Sequence, residues 1–244
     1  MRCCMKNKVL KIFVLLVAVL TLTACFDNNK DNKEEKDNKD ALSFKNDYEQ
    51  INGTVNSSGK EHRTITISEK NVFVETTPEE IIRKIENKDS FYVYFGSRLC
   101  PWCRSTLEMA DKISRENDIE KIYYIDIWDD EGNEIFRDKY TLDENGELVL
   151  SYEGTSEYKK IVEYLSDYLS DYTLTNENGE VINTNEKRIY APNYVYISKG
   201  KAVRLITGIS ENQKGSRDEL TEEILKDEEE IFNNFFVNAC DNSC

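Results

Sequence analysis

Two thiols separated by two residues, Cys100-Pro101-Trp102-Cys103, are where this sequence could do chemistry. Such a pair closes an internal disulfide and reopens it, exchanging electrons with another disulfide. Only a thiolate attacks a disulfide, so the attacking sulfur needs a low pKa. Phe91–Phe95 reads as a strand buried on both faces, Gly96-Ser97-Arg98-Leu99 as a short loop, and 101–116 as a helix with Leu107, Ala110 and Ile113 in register. Cys100 is therefore expected at a helix start, where unpaired amides and the dipole favour negative charge. Pro101 suits the first helical position, since its missing N–H is not needed there. No acidic residue occurs from Ser90 to Leu107, although the chain carries a net charge of −15. Arg98 and Arg104 flank the pair, so a locally cationic site is expected.

Other uses of the thiols stay open on spacing alone. Cys100 and Cys103 could form half a zinc site completed by Cys240 and Cys244. Zinc knuckles, however, usually lie on turns, and the second pair's spacing is unusual for one. No metal or other cofactor is expected. A purely structural disulfide over so short a loop gains little closure entropy. At helical spacing Cys240 and Cys244 have Cα atoms roughly 6 Å apart, within disulfide range. They read as a second disulfide stapling the C-terminus, as a relay dithiol, or as surface thiols without a role.

The chain's beginning says where this chemistry happens. Arg2, Lys6, Lys8 and Lys11 precede or interrupt an apolar run, Val9–Leu22, too short for an ordinary membrane span. Residues 1–24 read as a signal peptide. Leu22-Thr23-Ala24-Cys25 resembles the bacterial lipobox, which implies cleavage before Cys25 and lipid on its sulfur. Asp27–Asp40 contains only Asp, Asn, Lys and Glu. It buries nothing, so residues 25–41 are expected to be a disordered tether. The expected location is the outer face of the cytoplasmic membrane, anchored through Cys25. A chain this acidic is a poor binder of nucleic acid.

Residues 42–76 read as an N-terminal extension, with Phe44, Tyr48 and Ile51 on one helix face and strands at Arg63–Ile67 and Val72–Val74. Thr77-Pro78-Glu79-Glu80 is a capping box opening a helix with Ile81, Ile82 and Ile85 inward. Ile122–Ile127 reads as a second buried strand. The segment at about 129–188 is expected to be an inserted helical segment, within which Gly146–Leu150 suggests a strand, Ser156–Leu169 a helix, and Asn176–Asn185 a polar loop or hairpin. Tyr194–Ile197 and Ala202–Thr207 then form a hairpin through Lys199-Gly200. Ser216 and Glu219 suggest a cap for a last helix reaching Val237, whose acidic run Asp227–Glu230 is expected to face water. His62 is expected to be exposed. The order β–α–β, insertion, β–β–α predicts an α/β fold, a small mixed sheet with helices on both faces.

Phe91–Cys103 resembles the active-site strand, loop and helix of thioredoxin-like proteins, and Tyr190-Ala191-Pro192 before a strand resembles their second signature. The resemblance spans about residues 77–128 and 189–237, and implies a thioredoxin-like domain over 77–239 followed by a Cys-containing tail, 240–244. The whole is similar to lipoproteins of low-GC Gram-positive bacteria, some labelled bacteriocin transport accessory proteins. The resemblance implies an exposed nucleophile at Cys100, a buried resolving thiol at Cys103 and a cis Pro192 facing them. It also implies a substrate backbone pairing with Ala191 and an apolar contact at Trp102. A thiol–disulfide oxidoreductase would follow, acting on cysteine-containing exported proteins and exchanging electrons with a membrane partner. The alternative is a non-catalytic accessory module on the same scaffold. Tyr94 stands where reducing members carry a buried Asp, and Ala191 where Thr is common, so the direction of electron flow stays open.

Overall fold

The structure is a computed structural model that describes residues 36 and 38–237. The expected signal peptide, Cys25, Cys240 and Cys244 lie outside these residues. A helix, α1, covers residues 38–49, so the last residues of the expected tether are helical. The elements that follow are β1 (Phe73–Glu75), α2 (Pro78–Glu86), β2 (Phe91–Gly96), α3 (Pro101–Glu116) and β3 (Ile122–Asp126). The segment after β3 holds β4 (Lys139–Leu142), β5 (Leu148–Tyr152), α4 (Ser156–Leu165), β6 (Ser170–Thr175) and β7 (Val181–Arg188). β8 (Asn193–Ser198), β9 (Lys201–Ile206) and α5 (Glu222–Val237) complete the chain.

The fold is mixed α/β. Its main sheet has the order β1-β3-β2-β8-β9. β1, β3 and β2 run parallel because helices α2 and α3 carry the chain between them. β8 and β9 are antiparallel neighbours joined at Lys199-Gly200, whose φ values of 51° and 75° suit a tight hairpin. A side chain at Gly200 would also meet the Ile85 carbonyl oxygen at 2.3 Å.

Period-two alternation divides the core into two chemically different faces. Tyr92, Tyr94, Tyr124, Tyr194 and Tyr196 point to one face, against Phe44 and Tyr48 of α1, Leu107, Ala110 and Ile113 of α3, and Phe232, Phe235 and Phe236 of α5. Phe91, Val93, Phe95, Ile125, Val195 and Ile197 point to the other, against α2 and α4. Both thiols belong to the tyrosine face.

Several local expectations are corrected. The segment at 129–188 is not simply helical: two hairpins, β4–β5 and β6–β7, flank a helix that ends at Leu165 rather than Leu169. Arg63–Ile67 alternates as a strand does but pairs with none. Asn52, Glu49, Glu108 and Asp111 side chains accept the N–H groups of Ile65, Ile67, Thr66 and Ser68. Side chains from α1, the turn after it and α3 thus satisfy a backbone that alternation alone assigned to a sheet. The last helix starts at Glu222, with the Thr221 hydroxyl accepting from the Ile224 N–H, because the Asp218 carboxylate turns the chain back onto Gly215. His62 is buried, and its Nδ1 has no partner.

Candidate active site

β2 ends beneath the site for a steric reason. The Tyr94 ring folds under Gly96, where an added Cβ would lie 2.2 Å from the hydroxyl. Tyr94 belongs to the same buried cluster as both thiols. The loop then tightens, the Cys100 N–H donating to the Ser97 carbonyl at 3.1 Å, and α3 begins.

Cys100 is the N-cap of α3, and its sulfur accepts the Cys103 N–H at 3.3 Å, with Pro101 in the first turn. The Cys103 thiol donating to that sulfur, with the N–H groups of Cys103 and Trp102, holds the Cys100 thiol below its ordinary value against the opposing effect of burial. Burial pushes the Cys103 thiol well up. The two sulfurs are free thiols with opposite tendencies, one disposed to attack and the other to stay protonated.

Facing them, the Ala191–Pro192 peptide is cis. The Cys100 thiol lies 3.4 Å from the Ala191 carbonyl oxygen. Asn193 holds this bend from within, accepting from the Tyr190 N–H at 2.9 Å and donating to the Pro192 carbonyl at 3.0 Å. Trp102 and Trp128 pack against the cluster containing both thiols.

No protein-family model matches the chain. No curated protein matches it either.

The sequence-predicted residues do not all play the expected parts. Cys100, Cys103, Pro101, Trp102, Ala191 and Pro192 come together. Cys100, expected to be exposed, shows only 4% of its surface, and Cys103 shows none. Arg98 and Arg104 do not make the site cationic. Arg98 is ion-paired with Asp47 at 3.0 Å and Asp130 at 2.7 Å, acids that sequence proximity could not reveal. Arg104 is buried and spends its donors on the carbonyls of Arg63, Tyr48 and Arg98 and on Asn52 Oδ1. The cation that does favour a Cys100 thiolate is Arg137 from the segment before β4. It bonds Glu134 and donates to the Ile189 carbonyl at 3.1 Å, tying that segment to the proline loop. No cluster of three or more metal-ligating side chains occurs among the described residues.

Sequence reasoning placed Tyr48 on a helix face but missed the buried tyrosine cluster that it joins. In register on adjacent strands, Tyr194, Tyr94 and Tyr124 stack, with ring centroids 4.6 and 5.4 Å apart. Alternating tyrosines in two strand segments, Tyr92/Tyr94 and Tyr194/Tyr196, and the Tyr123-Tyr124 pair in a third were the available signal.

One member of the acidic run at 227–230 is not in water. Glu228 is fully buried, neither carboxyl oxygen has a partner, and burial pushes its carboxyl up to about 8. The folded protein therefore holds that proton more tightly than the unfolded chain. Its contribution is fully present below the ordinary value of 4.5 and is lost as pH rises toward about 8. Glu228→Gln should remove this decline, about 1.4 kcal/mol for each unit between the two values. Urea melts of both proteins at pH 5 and pH 8 measure it; equal pH dependence in the two would refute it.

Proposed function

We propose that this protein is a membrane-anchored, extracytoplasmic thiol–disulfide oxidoreductase of the thioredoxin-like class, with Cys100 as nucleophile and Cys103 as resolving thiol. One observation carries the reading: a free thiol capping α3, lowered in pKa, lies 3.4 Å from the carbonyl of a cis-proline peptide. The mixed sheet, with helices on both faces and the cysteine pair at its central strand-to-helix junction, agrees with the thioredoxin-like resemblance.

In the reducing direction the Cys100 thiolate attacks one sulfur of a partner's disulfide. A Cys100–partner disulfide forms, and the partner's other sulfur leaves as thiolate. Cys103, once deprotonated, attacks the Cys100 sulfur; the partner's second thiolate leaves, and the Cys100–Cys103 disulfide remains. Two electrons have passed to the partner. Run backwards, the same steps oxidise it. The basic and apolar N-terminal run, with Cys25 after Leu22-Thr23-Ala24, supports export and lipid anchoring. Cysteine-containing exported proteins are then the partners, and a membrane donor or acceptor resets the pair. No helix among the described residues is long and apolar enough to cross a membrane.

The small exposed edge of Cys100 favours a second reading, a closed scaffold that binds without exchanging. Alkylation by iodoacetamide separates the two. For catalysis, Cys100 reacts first, with a rate that levels off below the ordinary thiol range near pH 8.5. Cys103 stays unmodified until the alkaline range. Two equally inert thiols would favour the scaffold. Equilibration with glutathione buffers then gives the direction, reductants of this kind lying near about −270 mV and oxidants near about −120 mV.

A further inference from the structure

The loop that faces the cysteine pair, residues 189–192, is held at both ends. At its C-terminal end Asn193 opens β8 and pairs with Phe95 of β2. At its N-terminal end the hold comes from outside the main sheet. Arg137 donates to the Ile189 carbonyl at 3.1 Å, and Arg188, the last residue of β7, donates to the Asp138 carbonyl. Each guanidinium thus grips the other's stretch of chain, and both meet on one carboxylate. Glu134 Oε2 accepts from Arg137 Nε at 3.0 Å. Glu134 Oε1 accepts from Arg188 Nη2 at 3.1 Å, from the Trp128 indole N–H at 3.0 Å and from Arg137 Nη2. The Glu134, Arg137 and Arg188 side chains are 9%, 5% and 7% exposed, so water competes little for these bonds. Trp128 and Glu134 are also joined by an antiparallel bridge across the turn at 129–132.

We infer that Glu134 is a positioning residue, which through Arg137 and Trp128 fixes the cis-proline loop against the cysteine pair. The segment before β4 is then a working part of the active site. The inference rests on the oxidoreductase reading. A buried carboxylate that takes four charge-assisted or indole donors leaves its partners little freedom. Arg137 spans that carboxylate and the Ile189 carbonyl, three residues before Pro192. The cis peptide there puts the Ala191 carbonyl oxygen 3.4 Å from the Cys100 sulfur. Trp128 rests on both core clusters, one of which holds the two thiols.

The charges make this role measurable. Two guanidiniums on one carboxylate leave a buried excess of positive charge, and Arg188 lies over the Tyr172 ring, 4.0 Å from its centroid. Cys100 faces the Cys103 thiol and N–H and the Trp102 N–H from α3, and Arg137 from the segment before β4. Arg137 is the cation among them. Neutralising Glu134 therefore has two opposite possible consequences at Cys100. With Arg137 still in place, the loss of a negative charge favours the thiolate. With Arg137 released from the loop, the thiolate loses its cation. A positioning role for Glu134 predicts the second.

The test follows iodoacetamide alkylation of the Cys100 peptide against pH, by mass spectrometry, in the reduced full chain. The midpoint of the profile is read, at a temperature where circular dichroism shows each variant folded. In Glu134→Gln and Arg137→Met it should move up by about half a pH unit or more. Glu134→Asp keeps the charge but, one methylene shorter, cannot reach all four donors, and its midpoint should move the same way. Glu153→Gln, which breaks an exposed ion pair with Lys159 in the same part of the chain, should match wild type. A merely structural role would lower the melting temperature and leave the midpoint where it was. A Glu134→Gln midpoint that is unchanged or lower overturns the inference, because Arg137 then keeps its place unaided. So does an equal shift in Glu153→Gln. Should Glu134→Gln not fold, Glu134→Asp decides, and an unchanged midpoint there overturns it. A wild-type Cys100 as inert as Cys103 overturns the oxidoreductase reading itself.

Discussion

Cys100→Ser should abolish disulfide exchange, while Cys103→Ser should yield a protein that captures its partners and keeps them. The asymmetry follows from the two sulfurs' positions. Only Cys100 caps α3, accepts the Cys103 N–H and retains an exposed edge. A hydroxyl there does not ionise near neutral pH, so exchange should fall by about three orders of magnitude or more. Without the Cys103 thiol, attack by Cys100 still occurs, but the resulting mixed disulfide has no internal thiol to displace the partner. Adducts should appear on non-reducing gels of cells expressing Cys103→Ser, vanish with reductant, and be missing from the double variant. No adducts, together with a Cys100→Ser strain indistinguishable from wild type, would leave the non-catalytic scaffold as the better account.

Arg104→Met should cost about 3–5 kcal/mol of folding stability, because it strands several buried oxygens at once. The guanidinium donates to the Tyr48 carbonyl at 2.8 Å, the Arg63 carbonyl at 2.8 and 2.6 Å, and Asn52 Oδ1 at 2.5 Å. The acceptors lie in α1 (Tyr48) or between α1 and β1 (Asn52 and Arg63), whereas Arg104 is in the first turn of α3. One side chain thus fastens the N-terminal part of the unit to α3. Arg104→Lys should recover little of the loss, since one ammonium cannot reach the same spread of oxygens as the planar fork. Chemical denaturation of the two variants and wild type measures the difference; a loss under about 1 kcal/mol for Arg104→Met would contradict this assignment.

Much of the site was legible because it is local. The strand, the tight loop, Pro101 and the two cysteines all lie within Phe91–Cys103, and α3 ends where its pattern ends, at Glu116. Charge was misread because it is not local. Asp47, Asp130 and Arg137 are distant in sequence and arrive only through folding. Glu228 was misread for a related reason: an acidic run looks uniformly wet until one member's place on the helix is known. Arg63–Ile67 has a strand's alternation, with Ile65 and Ile67 inward, but no pattern within it says that side chains will take its amides.

The hairpins at 129–188 did leave a trace. Asn56-Ser57-Ser58-Gly59, Asp129-Asp130-Glu131-Gly132, Asp143-Glu144-Asn145-Gly146 and Asn176-Glu177-Asn178-Gly179 share one pattern. In each, the first side chain accepts the N–H groups two and four residues on, and the glycine takes a positive φ of 72° to 84°. This is turn chemistry that a helix-or-strand periodicity search passes over. Strands flank two of the turns and isolated bridges the other two.

Trp102 and Trp128 are the chain's two tryptophans, and both rest on the cluster that holds the sulfurs. The molecule therefore carries its optical probes at one spot. Its ultraviolet emission should therefore report on whether the neighbouring sulfurs are joined or apart, with no dye attached and no indole elsewhere to dilute the reading.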